Sequence, residues 1–236
     1  SELSLCDFYL NKLSIPLPVP LTNKLFLPTA PHEWNISRAM WLAKSYNNTD
    51  LLSPQYQPVR LVIINHSATG ECHNFLSCSS TVLNLQGDLY DLPYNFVIGN
   101  DGRVYEGRGW GKEGAYTQGY NRCSMGLGFI GDYRRSHVTK AQVERTEMLL
   151  ADGVRKGFLS HDYYIVGHRD LKPSESPGTN LYNVMRKWQR YDNENRFYKK
   201  NCTQITAMQL DGKYLLFTVS FYDIRESESC EQQTQY

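Results

Sequence analysis

The stretch 94–110, with the sequence YNFVIGNDGRVYEGRGW, decides the fold. Two aromatic-rich apolar runs, 94–98 and Val104–Glu106, flank the tripeptide Asn100-Asp101-Gly102. Asn, Asp and Gly accept the positive φ that a tight turn requires, so this pattern predicts a β-hairpin. Beyond the hairpin, Arg108 stands between two glycines, where the bare backbone allows a close approach. We therefore predict that the second strand leads to the edge of a binding site.

The strand and helix patterns around this hairpin predict one α/β domain, with a central mixed β-sheet flanked by helices. The predicted strands are 59–64, 94–98, 104–106, 124–130 and 163–166, and the predicted helices are 72–89, 139–158 and 177–188. The run 59–64 is apolar almost throughout, as is typical of a strand covered on both faces. Thr139, with Gln142 three residues later, is typical of a capped helix start.

The two ends of the chain lie outside this pattern. Residues 1–33 contain five prolines and predict an extended N-terminal segment, whereas 34–191 form the predicted domain. In the remaining segment, 192–236, a polar run at 192–200 suggests a linker. The predicted strands 206–210 and 213–222 flank the dipeptide Asp211-Gly212, which predicts a C-terminal hairpin.

Size and charge narrow the function classes. The chain has 236 residues and a formal net charge of +1, which suits one domain with appendages. A charge so close to zero gives no electrostatic case for binding nucleic acid or an acidic membrane surface. No run of about eighteen apolar residues occurs, so no membrane span is expected in this chain.

Several motifs together resemble the peptidoglycan recognition proteins, which are relatives of zinc-dependent N-acetylmuramoyl-L-alanine amidases. The motifs are LVIINHSATGECHNFLSC at 61–78, the stretch 94–110, Tyr120-Asn121, GLGFIG at 126–131 and GHRDLKPSESPG at 167–178. The resemblance runs in colinear order over about 34–188. It implies the predicted α/β fold and a role in innate immunity.

The resemblance also implies a zinc site, but two of its three ligand positions are altered. Where the enzymes carry two histidines and a cysteine, this chain has Asn65, His168 and Ser176. A carboxamide and a hydroxyl bind Zn²⁺ weakly compared with imidazole and thiolate. His66 is one position along the strand from Asn65, so its side chain is expected to point to the opposite face. We therefore predict no metal, no other cofactor and no amidase activity.

A ligand groove is the second implication of the resemblance. The candidate ligand-binding residues are Ser67, Tyr94, Arg108, Trp110, Tyr116, Asn121, His168 and Ser174. Arg108 matches the position that carries arginine in members preferring diaminopimelic acid stem peptides, and a guanidinium suits bidentate pairing with a carboxylate. The segment 86–91 is shorter than in the family and puts Tyr90 at the groove. Tyr90 either leaves the groove open or folds inward and fills it.

Two functions remain open from the sequence. The first is a non-catalytic sensor that binds peptidoglycan fragments. The second is a regulator or adaptor that has lost this binding and acts through contacts with other immune-pathway proteins. A zinc amidase is a remote third possibility.

Six cysteines, with no zinc-finger spacing, predict disulfides in an oxidising compartment. The resemblance implies a Cys72–Cys78 bond. The other four, Cys6, Cys123, Cys202 and Cys230, allow three pairings. We favour Cys202 with Cys230, because the predicted hairpin lies between them, which leaves Cys6 with Cys123.

Glycosylation sequons agree with an extracellular location, either secreted or as the ectodomain of a membrane-anchored protein. The candidate sites are Asn35, Asn47 and Asn201. A fourth sequon at Asn65 lies in a predicted buried strand, and no glycan is expected there.

Overall fold

A computed structural model describes residues 34–44, 51–87 and 89–208, and a six-stranded mixed sheet lies at their centre. The strands are β1 (Asn35–Ile36), β2 (Val59–His66), β3 (Phe96–Ile98), β4 (Val104–Glu106), β5 (Ser124–Phe129) and β6 (Leu159–Gly167). Their order across the sheet is β1-β4-β3-β5-β2-β6. Only the β3–β4 pair is antiparallel among these neighbours. The predicted mixed α/β fold is thus confirmed.

The predicted hairpin is the antiparallel β3–β4 pair, in which Val97 lies opposite Tyr105. Gly102 in the connecting turn has a φ of 78°, the positive value that glycine adopts without strain. The first strand is shorter than predicted and begins at Phe96, so Tyr94 and Asn95 precede it. Both residues are consequently available to support the site described below.

Five helices complete the described fold: α1 (Phe75–Gln86), α2 (Lys140–Arg155), α3 (His168–Leu171), α4 (Thr179–Met185) and α5 (Cys202–Ala207). The predicted start of α2 is confirmed, since the Thr139 side chain accepts a hydrogen bond from the backbone N–H of Gln142. Asn74 caps α1 in the same way through the N–H of Ser77. None of the helices in the described residues is long and apolar enough to cross a membrane.

Strand β2 lies near the centre and is covered on both faces, as its apolar composition predicts. Val62 and Ile64 pack in one cluster with residues of α2 and α4. Leu61 and Ile63 point to the opposite face. Alternation along the strand thus places a hydrophobic layer on each side of the sheet.

The segment after residue 191 differs from its prediction. Phe197 is completely buried and, with Cys202 and Ile205, packs in the same cluster as Leu61. The interpretation of 192–200 as a linker is therefore wrong, because this segment covers one face of the sheet. The predicted strand beginning at Thr206 is also wrong at its start, since Thr206 lies in α5.

Of the three predicted disulfide pairings, one is confirmed and the other two are wrong. The Cys72–Cys78 bond is present. Cys202 is bonded to Cys123 rather than to Cys230, and Cys123 therefore cannot pair with Cys6. The bond joins α5 to the 3₁₀ turn Asn121–Cys123, because both lie against the same buried cluster. Cys6, Cys230 and the predicted C-terminal hairpin lie outside the described residues.

Candidate ligand-binding site

A cavity of about 510 Å³ lies where β2 and β6 end. Parallel strands bring the residues at their carboxyl ends to one edge of the sheet, the usual position of ligand sites in α/β folds. The lining residues form two groups. The aromatic side consists of Pro93, Tyr94, Ala115 and Tyr116. The polar side consists of Asn65, His66, Ala68, Arg134, His168, Ser174, Glu175 and Ser176.

On the aromatic side, the rings of Tyr94 and Tyr116 stack with centroids 6.4 Å apart. Both rings pack against glycines of β5, Tyr116 on Gly126 and Tyr94 on Gly128. Burial raises the pKa of Tyr94 to about 12 and raises that of Tyr116 as well, so both phenols stay neutral at physiological pH. The pair presents a fixed, uncharged aromatic surface to the cavity.

Hydrogen bonds hold this aromatic side in place. The Ser124 hydroxyl donates to the backbone carbonyl of Tyr120 at 2.7 Å, so the Tyr116 phenol donates to Ser124 Oγ at 2.8 Å. The backbone N–H of Tyr116 donates to Asn121 Oδ1 at 3.1 Å. Asn121 therefore supports the aromatic side without lining the cavity.

Asn95 is a structural residue that the motif comparison missed. Its Nδ2 donates to the carbonyls of Gly109 and Lys112, both at 2.9 Å, and its Oδ1 accepts from the N–H of Gly126 at 2.8 Å. It is almost completely buried. The signal was present in the sequence, because an Asn inside an apolar strand run requires buried hydrogen-bond partners.

The polar side contains a side chain with unused hydrogen-bonding capacity. Asn65 is only 2% exposed, and its Nδ2 has no hydrogen-bond partner among the described residues. The Ser176 hydroxyl oxygen accepts from the backbone N–H of His66 at 3.2 Å. Burial, and secondarily the charge of Lys172, lower the pKa of His168, which keeps the imidazole neutral at pH 7. At the positions of Asn65, His168 and Ser176, the polar side therefore offers neutral hydrogen-bonding groups to a ligand.

His66 lines the cavity together with Asn65, which strand alternation did not predict. Its Nδ1 accepts from the backbone N–H of Tyr133 at 3.2 Å and lies 3.9 Å from Asp132 Oδ1. Burial lowers the pKa of His66, although Asp132 opposes this effect. The Nδ1 lone pair is thus committed to the loop after β5 and is not available as a metal ligand.

The sequence of this chain matches a protein-family model and several known proteins. The family model for N-acetylmuramoyl-L-alanine amidase matches residues 55–179. A peptidoglycan recognition protein of Trichoplusia ni is 43% identical over 141 residues, covering 57% of this chain and 78% of that protein. This chain belongs to the peptidoglycan recognition protein family.

Solved structures of this family agree with the assignment. Drosophila peptidoglycan recognition protein SA has a TM-score of 0.62 and 36% identity, covering 67% of this chain and 93% of that chain. A second match comes from the ectodomain complex of peptidoglycan recognition proteins LCa and LCx, which is bound to tracheal cytotoxin. Its TM-score is 0.63 at 38% identity, covering 67% of this chain and 98% of that chain.

Zinc, which the amidase relatives imply, does not fit the residues present. Asn65, His168 and Ser176 do line one cavity, so the ligand positions of a peptidoglycan recognition amidase meet as the resemblance implies. They supply one imidazole, one carboxamide and one hydroxyl, whereas tetrahedral zinc sites use imidazole, thiolate and carboxylate ligands. In the described residues, the group of metal-ligating side chains close enough to share an ion is Cys72, Cys78 and Asp101, whose cysteines form a disulfide.

Four of the eight predicted ligand-binding residues line the cavity: Tyr94, Tyr116, His168 and Ser174. Trp110 does not, because its ring packs into the core against Phe96 and Phe158 at centroid distances of 4.6 and 5.7 Å. Ser67 Oγ accepts from the N–H of Gly131 at 3.0 Å and shares a hydrogen bond with Thr69, so it shapes a loop.

Arg108 lies beside the aromatic side rather than in the cavity lining. Its Nε donates to the carbonyl of Leu92 at 2.7 Å and its Nη1 to that of Glu113 at 2.9 Å. The next residue after Leu92, Pro93, lines the cavity, and Pro93 O accepts from the N–H of Ala115 at 2.8 Å. The guanidinium thus ties together the two segments that form this wall.

Of the two positions considered for Tyr90, the outward one is observed. Its side chain is 58% exposed and does not line the cavity. The Arg108 guanidinium lies 6.0 Å from the centre of its ring. The shortened segment therefore leaves the cavity open.

Arg134 and Glu175 line the cavity but were not among the predicted ligand-binding residues, although Glu175 lies in the motif at 167–178. Arg134 follows β5 in the loop after GLGFIG, and Glu175 lies between Ser174 and Ser176. Residues directly after a parallel strand reach the same sheet edge as the other ligand positions. That rule, applied to β5, would have identified Arg134.

Proposed function

We propose that this protein is a non-catalytic peptidoglycan recognition protein of innate immunity that binds muropeptides without cutting them. The observation that carries the proposal is the open cavity, whose aromatic side is already formed while its polar side holds a single histidine at the three zinc positions. One relative of known structure is bound to tracheal cytotoxin. We propose that this chain likewise binds a peptidoglycan fragment.

The two sides of the cavity suit the two parts of a muropeptide. Stacked tyrosines such as Tyr94 and Tyr116 offer apolar faces to a sugar ring. Asn65 offers an amide donor to a peptide carbonyl, and its χ2 torsion is two-fold, so rotation can present either amide atom. A buried donor without a partner costs about 1–3 kcal/mol, and a ligand carbonyl would recover part of that free energy.

A preference for the diaminopimelic acid type of stem is the finer part of this proposal. It rests on the family position of Arg108 and on its location beside the cavity wall. Isothermal titration of a muramyl tripeptide ending in meso-diaminopimelate tests it. Arg108→Ala should weaken binding at least about tenfold, because hydrogen bonds between charged groups are the strong ones.

Arg122→Ala is the matched control, since Arg122 is exposed in the turn Asn121–Cys123 away from the cavity lining. Equal binding by wild type and Arg108→Ala would remove the diaminopimelate preference. Absence of saturable binding by the wild type would remove the sensor function itself.

The absence of catalysis is tested separately. We expect purified protein with excess Zn²⁺ to release no stem peptide from peptidoglycan, because only one of the three zinc-ligand positions holds a strong zinc ligand. Release of the peptide from muramic acid, abolished by a chelator, would contradict the proposal.

An adaptor that acts through protein contacts is the second candidate, and exposed apolar side chains favour it. Leu76 is 78% exposed on α1, and Leu83, Leu89 and Tyr90 are also exposed on or just after that helix. If this surface binds a partner, Leu76→Asp should abolish the chain's effect in an immune-pathway reporter assay while muropeptide affinity stays unchanged. Ser80→Asp, at another exposed position of α1, is the control.

We propose an extracellular location, either secreted or in an ectodomain, which the two disulfides support. Among the sequons, Asn201 is exposed at the start of α5, Asn35 is half-buried in β1 and Asn47 lies outside the described residues. Asn65 is buried, as expected. A mass shift after glycosidase treatment of protein secreted by eukaryotic cells tests the proposal, and Asn201→Gln should reduce that shift.

A further inference from the structure

We propose that Arg134 receives a carboxylate of the ligand, and that the Glu175 side chain occupies this position until the ligand displaces it. The proposal rests on the function proposed above, since it names the ligand group that this cavity selects. It assigns a specificity-determining role to a residue outside the recognised motifs.

Arg134 is held in a fixed orientation at the cavity. Its Nε donates to Asp132 Oδ1 and its Nη2 to Asp132 Oδ2, both at 2.8 Å. This fork-to-fork pairing with a carboxylate two residues away sets the plane of the guanidinium. Asp132 Oδ1 also lies 3.9 Å from His66 Nδ1, so the pair is close to the end of β2.

The remaining edge of the guanidinium faces the opposite loop. Arg134 Nη1 donates to Glu175 Oε2 at 2.8 Å. Glu175 belongs to the loop between α3 and α4, and its side chain is 72% exposed. Its carboxylate thus occupies a position on Arg134 that a ligand carboxylate would also favour.

The Arg134–Glu175 pair is suited to exchange. Exposed ion pairs contribute little net free energy, because water solvates both partners and two side chains lose freedom. A ligand that enters the cavity and contacts its other walls loses much of its freedom through those contacts. Its carboxylate can therefore replace Glu175 at small cost.

Arg134 is also the permanent cation among the described lining residues. The two lining histidines, His66 and His168, have lowered pKa values because of burial and stay neutral. Arg108 does not line the cavity, and two of its nitrogens bind backbone carbonyls. Arg134 is therefore the charged partner for a ligand carboxylate inside the cavity, whereas Arg108 is the proposed partner for a stem carboxylate beside the aromatic wall.

The test compares three variants by isothermal titration with a muramyl tripeptide ending in meso-diaminopimelate. Arg134→Gln should weaken binding by at least about tenfold through loss of a charge-assisted pair. Glu175→Gln should tighten binding by about three- to tenfold, because a neutral amide competes less well for Arg134. Arg135→Gln, at the exposed neighbouring arginine, should leave affinity unchanged.

The same ligand with its carboxylates converted to carboxamides should bind wild type and Arg134→Gln equally. A gain in affinity for Glu175→Gln cannot come from misfolding, which keeps the test valid if Arg134→Gln is unstable. If the wild type binds but Arg134→Gln binds equally and Glu175→Gln shows no gain, this inference is wrong and the proposed function stands. If the wild type binds no muropeptide, both are wrong.

Discussion

The two sides of the cavity differ in how their polar groups are used. On the aromatic side, the side chain of Asn95 makes three hydrogen bonds within the protein, and the Tyr116 phenol is bonded to Ser124. On the polar side, Asn65 Nδ2 has no partner among the described residues. Arg134 donates a hydrogen bond to the exposed carboxylate of Glu175. The hydrogen-bonding groups of the aromatic side are thus used within the protein, whereas the polar side carries the altered zinc positions and a buried amide donor that has no partner among the described residues.

The largest effect should come from restoring zinc-ligand residues on the polar side. The double variant Asn65→His, Ser176→Cys places two histidines and one cysteine at the three zinc-ligand positions. It should bind Zn²⁺ at least about a thousandfold more tightly than the wild type, because imidazole and thiolate are strong zinc ligands. Competition with a chromogenic chelator measures both affinities.

Each single variant is the control and should give an intermediate affinity, since each adds one ligand. A double variant that binds Zn²⁺ no better than the wild type would show that the three positions do not converge on an ion. The proposed reason for lost catalysis would then need replacement.

The next largest effect is expected when an asparagine is replaced by alanine on each side of the cavity. Asn95→Ala removes three buried hydrogen bonds and leaves backbone groups unpaired, so it should lower the free energy of unfolding by about 3 kcal/mol or more. Asn65→Ala removes a side chain whose Nδ2 has no partner among the described residues, so it should change the free energy of unfolding by less than about 1 kcal/mol. Urea denaturation monitored by tryptophan fluorescence measures both values. Equal losses of unfolding free energy in the two variants would contradict the difference between the aromatic side and the polar side.

A smaller effect tests whether the aromatic side acts through its rings. Tyr116→Phe keeps the ring against Tyr94 but removes the hydrogen bond to Ser124. We expect a loss of about 1 kcal/mol in unfolding free energy, the usual value for one such bond. Muropeptide affinity should stay within about twofold, because the apolar face is unchanged. A large affinity loss at normal stability would mean that the phenol itself contacts the ligand.

The smallest effect concerns pH. Hydrogen bonds from Arg134 lower the pKa of Asp132 from 3.8 to about 2. Its contribution to stability is therefore present above about pH 4 and is lost as the pH falls toward 2. Arg134→Gln should raise this pKa toward 3.8, as measured by the carboxyl ¹³C shift. Arg135→Gln should not change it, and an unchanged value in Arg134→Gln would show that the pair does not persist in solution.

Local patterns in the sequence predicted the elements that depend on local interactions. The hairpin at Asn100-Asp101-Gly102 and the start of α2 at Thr139 were both predicted from residues that act within a few positions of each other. The family motifs likewise indicated Tyr94 and Tyr116, because their positions along the chain are fixed relative to the strands.

Long-range contacts were the source of the errors. Cys123 and Cys202 are 79 residues apart, and no local pattern indicates that the chain after 191 folds back over the sheet. Trp110 follows a glycine at the site edge, yet its ring turns inward to pack on Phe158. The pairing of Arg134 with Glu175 was missed because the two residues are 41 positions apart along the chain. Such contacts depend on packing rather than on spacing.

The glycines of β5 have a consequence for how such pockets change over time. A methyl group on Gly128 would lie 2.5 Å from Tyr94 Cδ2, and one on Gly126 would collide with Tyr116. Either addition would force a tyrosine ring that lines the cavity to move. Under the proposed function, a substitution at Gly126 or Gly128 would therefore weaken ligand binding from within a strand, although every residue that lines the cavity is unchanged.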